Sequence, residues 1–171
     1  MKNHEKTKLL VTMGLMVAIH IILSRWLSIN AWNLKIGFAF VPVFIGAWAF
    51  GPVPAAVVGG LGDFLGALLF PIGPYFPGFT LSCALTGVIF GLLLHKEQTL
   101  PRIVAAVVLN QFGVSLLLSS FWISILYGSP YTVLLGTRVI QSAILTGVEL
   151  ITMTAFTRST AVIRRQLSRT A

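Results

Sequence analysis

Residues 55–70 read AAVVGGLGDFLGALLF, and Asp63 is the one charged residue among them. A helix of that length, at 1.5 Å per residue, extends about 24 Å. So apolar a helix belongs in hydrocarbon, where an unpaired carboxylate costs at least about 3 kcal/mol. Asp63 must therefore be protonated, paired or turned toward a polar cavity. Glycines at 59, 60, 62 and 66 clear space around it. The plain reading is a structural hydrogen bond to a neighbouring helix. The functional reading is a ligand or proton site.

The rest of the chain has the same character. Of its 171 residues 56% are hydrophobic and 9% are charged, against about a quarter charged in a soluble domain. That excludes a water-soluble globule, which needs a charged shell, and disorder, which needs low hydrophobicity. With about 20 apolar residues per crossing, the chain accommodates about six spans and no soluble catalytic domain. We expect an all-α, polytopic membrane protein: one six-helix domain over residues 1–171, with spans near 9–24, 36–50, 55–70, 79–95, 103–127 and 133–157. Gly51-Pro52-Val53-Pro54 and the Pro71–Gly78 stretch read as helix breaks. The polar stretch from Arg25 to Lys35, with Trp26 and Trp32, reads as an interfacial loop or short re-entrant segment. The first apolar run follows Lys2, Lys6 and Lys8, but no small-x-small cleavage site precedes Arg25 and Trp26, so it reads as a retained span. Cys83 is the single cysteine, so no intrachain disulfide is expected.

The net charge is +8, from 12 Lys plus Arg against 4 Asp plus Glu. These charges sit at the chain ends and in short connections, which favours a membrane surface over nucleic acid as partner. With six spans both ends share a side. That side carries Lys2, Lys6, Lys8, Lys96, Arg102, Arg158, Arg164, Arg165 and Arg169, against Arg25, Lys35 and Arg138 on the other. The positive-inside rule then places both termini in the cytoplasm and the aromatic, proline-containing loops outside.

Small residues recur at helical spacing: Gly14-x3-Ala18, Gly62-x3-Gly66, Gly87-x3-Gly91 and Ala143-x3-Gly147. Such pairs let helix backbones approach closely within a bundle, and one of them can serve a partner protein instead. Arg138, Gln141, Ser142, Leu145 and Glu149 share one face of the last span, and Gln111, Ser115, Ser119 and Trp122 one face of the fifth, with Asn110 adjacent. These stripes read as interhelical glue or as a shared polar cavity. Glu149, nearer the inside, reads as structure or assembly rather than ligand contact. Trp26, Trp32, Tyr75, Phe76, Trp122, Tyr127 and Tyr131 gather toward the outer end, as an interfacial belt or a stacking surface for a flat ligand would. His20 reads as a packed histidine. The chain has no phosphate-binding G-x4-G-K-[ST], no H-E-x-x-H, no Cys–His cluster and no nucleophile elbow. Enzymatic chemistry, a metal and a cofactor are therefore not expected.

Between Phe40 and Leu94 three pieces stand together: Gly51-Pro52, Gly59-Gly60-x2-Asp63-x2-Gly66 and Tyr75-Phe-Pro-Gly-Phe-Thr-Leu-Ser82. This segment resembles the folate family of substrate-binding (S) components of energy-coupling factor (ECF) transporters. The resemblance implies a small six-helix protein of the bacterial cell membrane that captures a vitamin from outside. It also implies partners: a membrane scaffold subunit and two ATP-hydrolysing subunits. The family's Ala-x3-Ala docking signature on the first helix falls here on Gly14-x3-Ala18. Toppling within the membrane is likewise implied by the family alone.

Folate combines a flat pterin, a benzoyl linker and a glutamate with two carboxylates. On this resemblance Asp63 is expected to accept the pterin's two adjacent N–H groups, as a carboxylate accepts a guanidinium fork. Tyr75, Phe76 and Trp122 would stack on the ring, and Asn110 or Gln141 would meet its remaining polar atoms. Arg25 and Arg138 would hold the glutamate carboxylates at the mouth, with Lys35 a weaker candidate. The competing reading is a self-sufficient, proton-coupled secondary carrier of a small aromatic or vitamin solute, with Asp63 as the proton-carrying acid. A small intramembrane enzyme or assembly factor ranks last.

Overall fold

The computed structural model describes residues 2–30 and 35–170, with side chains for 4–29 and 37–160. Trp32 and Asn33, and the side chains of Lys2, Asn30, Lys35, Arg164, Arg165 and Arg169, lie outside that description. Helix α1 (Lys2–Arg25) leads into a hairpin of β1 (Ser28–Asn30) and β2 (Lys35–Gly37). Then follow α2 (Phe40–Phe50), α3 (Pro52–Leu69) and α4 (Pro77–Leu94). Next, α5 (Leu100–Val108) runs unbroken through a π-helical stretch (Leu109–Leu118) into α6 (Ser119–Tyr127), and α7 (Tyr131–Thr170) closes the chain.

The prolines begin helices here. Gly51, at φ +90°, donates its N–H to the Ala47 carbonyl and ends α2, and Pro52 opens α3 at once. Proline suits a first turn, where no intrahelical acceptor exists for its missing N–H. Pro77 starts α4 and Pro101 lies in the first turn of α5 in the same manner. Each of these helices starts two or three residues ahead of its expected span.

Among the described residues five helices are long and apolar enough to cross a bilayer: His4–Arg25, Pro52–Leu69, Pro77–Leu94, Leu100–Tyr127 and Tyr131–Thr160. Helix α2 has 11 residues, about 16 Å, roughly half of the hydrocarbon thickness. The expected span at 36–50 is therefore shortened. Its first residues belong to the antiparallel hairpin, in which Ser28 pairs with Gly37 and Ile29 with Ile36. Among the described residues the bundle is helical but for this one small β element, in keeping with the all-α expectation. Strands of three residues are too short to show alternation in a sequence.

Glycine seams bring the helices together. A Cβ on Gly87 would strike the Ala55 backbone, and one on Gly91 the backbone of Pro52. Helices α3 and α4 are thus in backbone contact, where dispersion replaces the hydrophobic drive that lipid lacks. Gly62 and Gly66 admit the His20 and Arg25 side chains of α1. Phe156 of α7 meets Phe44 and Trp48 of α2 edge-on, at centroid distances of 5.6 Å. These contacts close a ring of helices. An apolar plug, including Phe44, Val58, Phe90, Leu94, Ile103 and Met153, fills the end near the α2–α3 and α4–α5 connections. Toward the opposite end, where Tyr127 reaches Gly73, the ring is hollow.

Candidate functional site

The hollow is a cavity of about 500 Å³, within the range of small-molecule sites. It runs from Ile72 and Tyr75 in the α3–α4 loop, which are 53% and 39% exposed, down to Glu149 at 2%. Of the residues the sequence singles out, Asp63, Arg25, Arg138, Tyr75, Phe76, Asn110 and Gln141 all line it. Five separate segments of chain thus converge on one space.

Midway, Asp63 of α3 is already engaged. Thr80 of α4 donates to its Oδ2 at 2.9 Å, and Arg25 Nη2 stands 3.8 Å from its Oδ1. The same Nη2 donates to the Asp63 carbonyl at 3.3 Å. The Tyr75 hydroxyl lies 3.3 Å from Thr80 Oγ1, and the Tyr75 ring meets Phe64 edge-on. One polar chain therefore ties the loop, α4, α3 and the end of α1 together. The Arg25 and Asp63 side chains are each 10% exposed, and Arg25 Nε is buried without a hydrogen-bond partner.

Arg138 is buried at 5% exposure, not at the rim where the sequence reading puts it. Its Nη1 donates to Ser120 Oγ at 3.1 Å, and Nε has no partner. Among the described residues no carboxylate lies within ion-pair distance of it. A guanidinium kept from water without a counter-charge is costly, and an anion entering the cavity would offset that cost.

The floor is formed by Asn110, Gln111 and Glu149. Asn110 Nδ2 donates to both Glu149 oxygens, at 3.1 and 3.3 Å, and Gln111 Nε2 donates to Oε1 at 2.7 Å. Thr86 donates to Asn110 Oδ1 at 2.7 Å. Glu149 thus faces the cavity as well as its neighbours, a position the sequence reading did not give it.

Trp122 is absent from the lining. Its indole packs over Gly78 and against Phe76, and its Nε1 donates to Ser82 Oγ at 3.1 Å. It supports the wall from behind. The cause is the π-helical stretch, whose i→i+5 bonds take more residues per turn than an α-helix. Between Gln111 and Trp122 the register drifts, so Gln111, Ser115 and Ser119 line the cavity while Trp122 does not. Thr80 and Thr86 escaped notice because a lone threonine in an apolar run carries no signal of its own.

Gly14 and Ala18 lie apart from the cavity. A Cβ on Gly14 would meet nothing within 4 Å. It shares its outward side of α1 with Leu10, Val11 and Leu15, each at least 60% exposed.

Residues 8–156 match the family model described as ECF transporter, substrate-specific component. The chain is 37% identical over 142 residues to the Folate transporter FolT of Clostridium novyi (strain NT), covering 82% of this chain and 83% of that one. It is 28% identical over 127 residues to the Folate transporter FolT of Leuconostoc mesenteroides subsp. mesenteroides, covering 73% and 68% respectively. Its fold is similar to a solved structure of FolT bound with folic acid, with a TM-score of 0.83 and 31% identity, covering 88% of this chain and 92% of that one.

Proposed function

We infer function from one premise: the chain belongs to the substrate-specific components of ECF transporters. It captures folate at the membrane and serves its import as the binding subunit of such a transporter. One observation carries this reading: the cavity from the exposed loops to a buried polar floor, in a chain this similar to proteins named as folate transporters.

In the proposed complex folate lies along the cavity. Arg25 and Arg138 meet its carboxylates, and Asp63 holds Arg25 in position. Tyr75 and Phe76 supply aromatic wall, and Asn110 and Gln141 supply polar contacts. Trp122 acts through Phe76 and Ser82. The whole chain forms one domain of the bacterial cell membrane, α2 completing the sixth span together with the hairpin. Both termini face the cytoplasm, supported by the basic residues at that side. ATP hydrolysis belongs to two separate subunits, joined through a membrane scaffold that docks on α1 at Gly14 and Ala18.

Purifying the chain in detergent and identifying bound small molecules by mass and absorbance tests the central part. Folate retained at about one per chain is expected. A preparation from folate-fed cells that carries none, and takes none up on addition, contradicts it.

A further inference from the structure

Two buried carboxylates face the cavity, and they are not equivalent. Asp63 has a guanidinium and a hydroxyl on its oxygens. Glu149 has only neutral amide donors, and among the described residues no cation within ion-pair distance. The Thr86 hydroxyl fixes the Asn110 amide so that Nδ2 points at Glu149. Gln111 gives its Nε2 to Glu149, while its Oε1 is buried with no hydrogen-bond partner. The floor therefore offers two acceptors short of donors: Glu149 Oε2, which receives one long bond at 3.3 Å, and Gln111 Oε1. A buried carboxylate without a cation and a buried amide oxygen without a donor both cost free energy. A ligand bringing adjacent N–H groups removes both penalties at once.

We propose that Glu149, seated by Asn110 and Gln111, accepts the paired N–H edge of the incoming solute, which enters that edge first. The inference rests on the folate reading. The pterin head presents such an edge, a ring N–H beside an exocyclic amine. It transfers to Glu149 the role that sequence alone gives to Asp63. The geometry agrees at the other end. Arg138 stands eleven residues earlier on α7, about 16 Å along the axis, as a guanidinium lacking a carboxylate. A donor-edged aromatic head with an anionic tail complements both charges, whereas a solute with an acidic head or a cationic tail opposes both.

The test is a titration of the purified chain with folic acid and with its 2-desamino analogue, in which hydrogen replaces the exocyclic amine. The unaltered chain is expected to prefer folic acid roughly ten- to hundredfold. Glu149→Gln should lose most of that preference and bind both ligands more weakly, since the analogue keeps the ring N–H, and the helical circular dichroism and melting temperature of the purified variant report that it folds. Glu149→Asp, withdrawing the carboxylate by one methylene, should shrink the preference. Asp63→Asn should weaken both ligands alike and keep the preference. A preference that survives both Glu149 changes, or collapses in Asp63→Asn instead, overturns the proposal while leaving the folate reading intact. Failure of the unaltered chain to bind folic acid overturns both.

Discussion

Arg25 and Arg138 are the two guanidiniums of the cavity, and their different partners set different expectations. Arg25 has the Asp63 carboxylate at 3.8 Å. Asp63→Ala removes that anchor, and the loss of a charged partner should lower folate affinity ten- to hundredfold, about 1.5–3 kcal/mol, in a binding titration. An unchanged affinity would remove Asp63 from the site. Arg138 has no such anchor, so Arg138→Gln should behave otherwise. Affinity should again fall at least tenfold, while the melting temperature of the ligand-free protein should hold or rise, because an uncompensated buried charge has gone. A lower melting temperature with unaltered affinity would make Arg138 structural. Asp63 was legible in the sequence because a single acid in an apolar run has no cheap explanation. Its partner was not. Arg25 and Thr80 lie on other helices, and no local pattern says which cation or hydroxyl the fold will deliver.

At the level of helices, equal spacing hides unequal roles. Gly87-x3-Gly91 seats α4 on the α3 backbone, and Gly62-x3-Gly66 admits α1 side chains, whereas Gly14 and Gly147 face open space. Gly91→Val forces methyl groups into the backbone of Pro52, and such overpacking costs about 1–3 kcal/mol or more. A clear drop in melting temperature in detergent is the expected result, with Gly147→Ala as the near-neutral contrast. Equal melting temperatures would mean that the α3–α4 seam is not tight. Helix positions were readable because long apolar runs bounded by Pro, Gly and polar links leave few alternatives. The hairpin and the π-helical stretch were not, since three-residue strands show no alternation and a π-helix shares its apolar composition with an α-helix. The same winding turns Trp122 out of the cavity lining.

For the molecule as a whole, the division of labour is spatial. The plug of apolar side chains closes one end, the cavity occupies the other, and the Gly14–Ala18 side of α1 faces away from both. Capture and coupling should therefore separate. Gly14→Leu should bind folate as the unaltered chain does, yet fail to support uptake in cells that carry the scaffold and ATP-hydrolysing subunits. Normal uptake with the bulky residue in place would argue against docking on that face. Composition alone gave the membrane class, and the resemblance between Phe40 and Leu94 gave the family. The depth of Arg138 and the floor at Glu149 needed the packed bundle. The most direct test of the account is an experimental structure of the chain saturated with folic acid. One molecule should lie in the cavity, its pterin edge at Glu149 and its carboxylates toward Arg138 and Arg25. Folic acid bound elsewhere, or a cavity left empty at saturation, would contradict it.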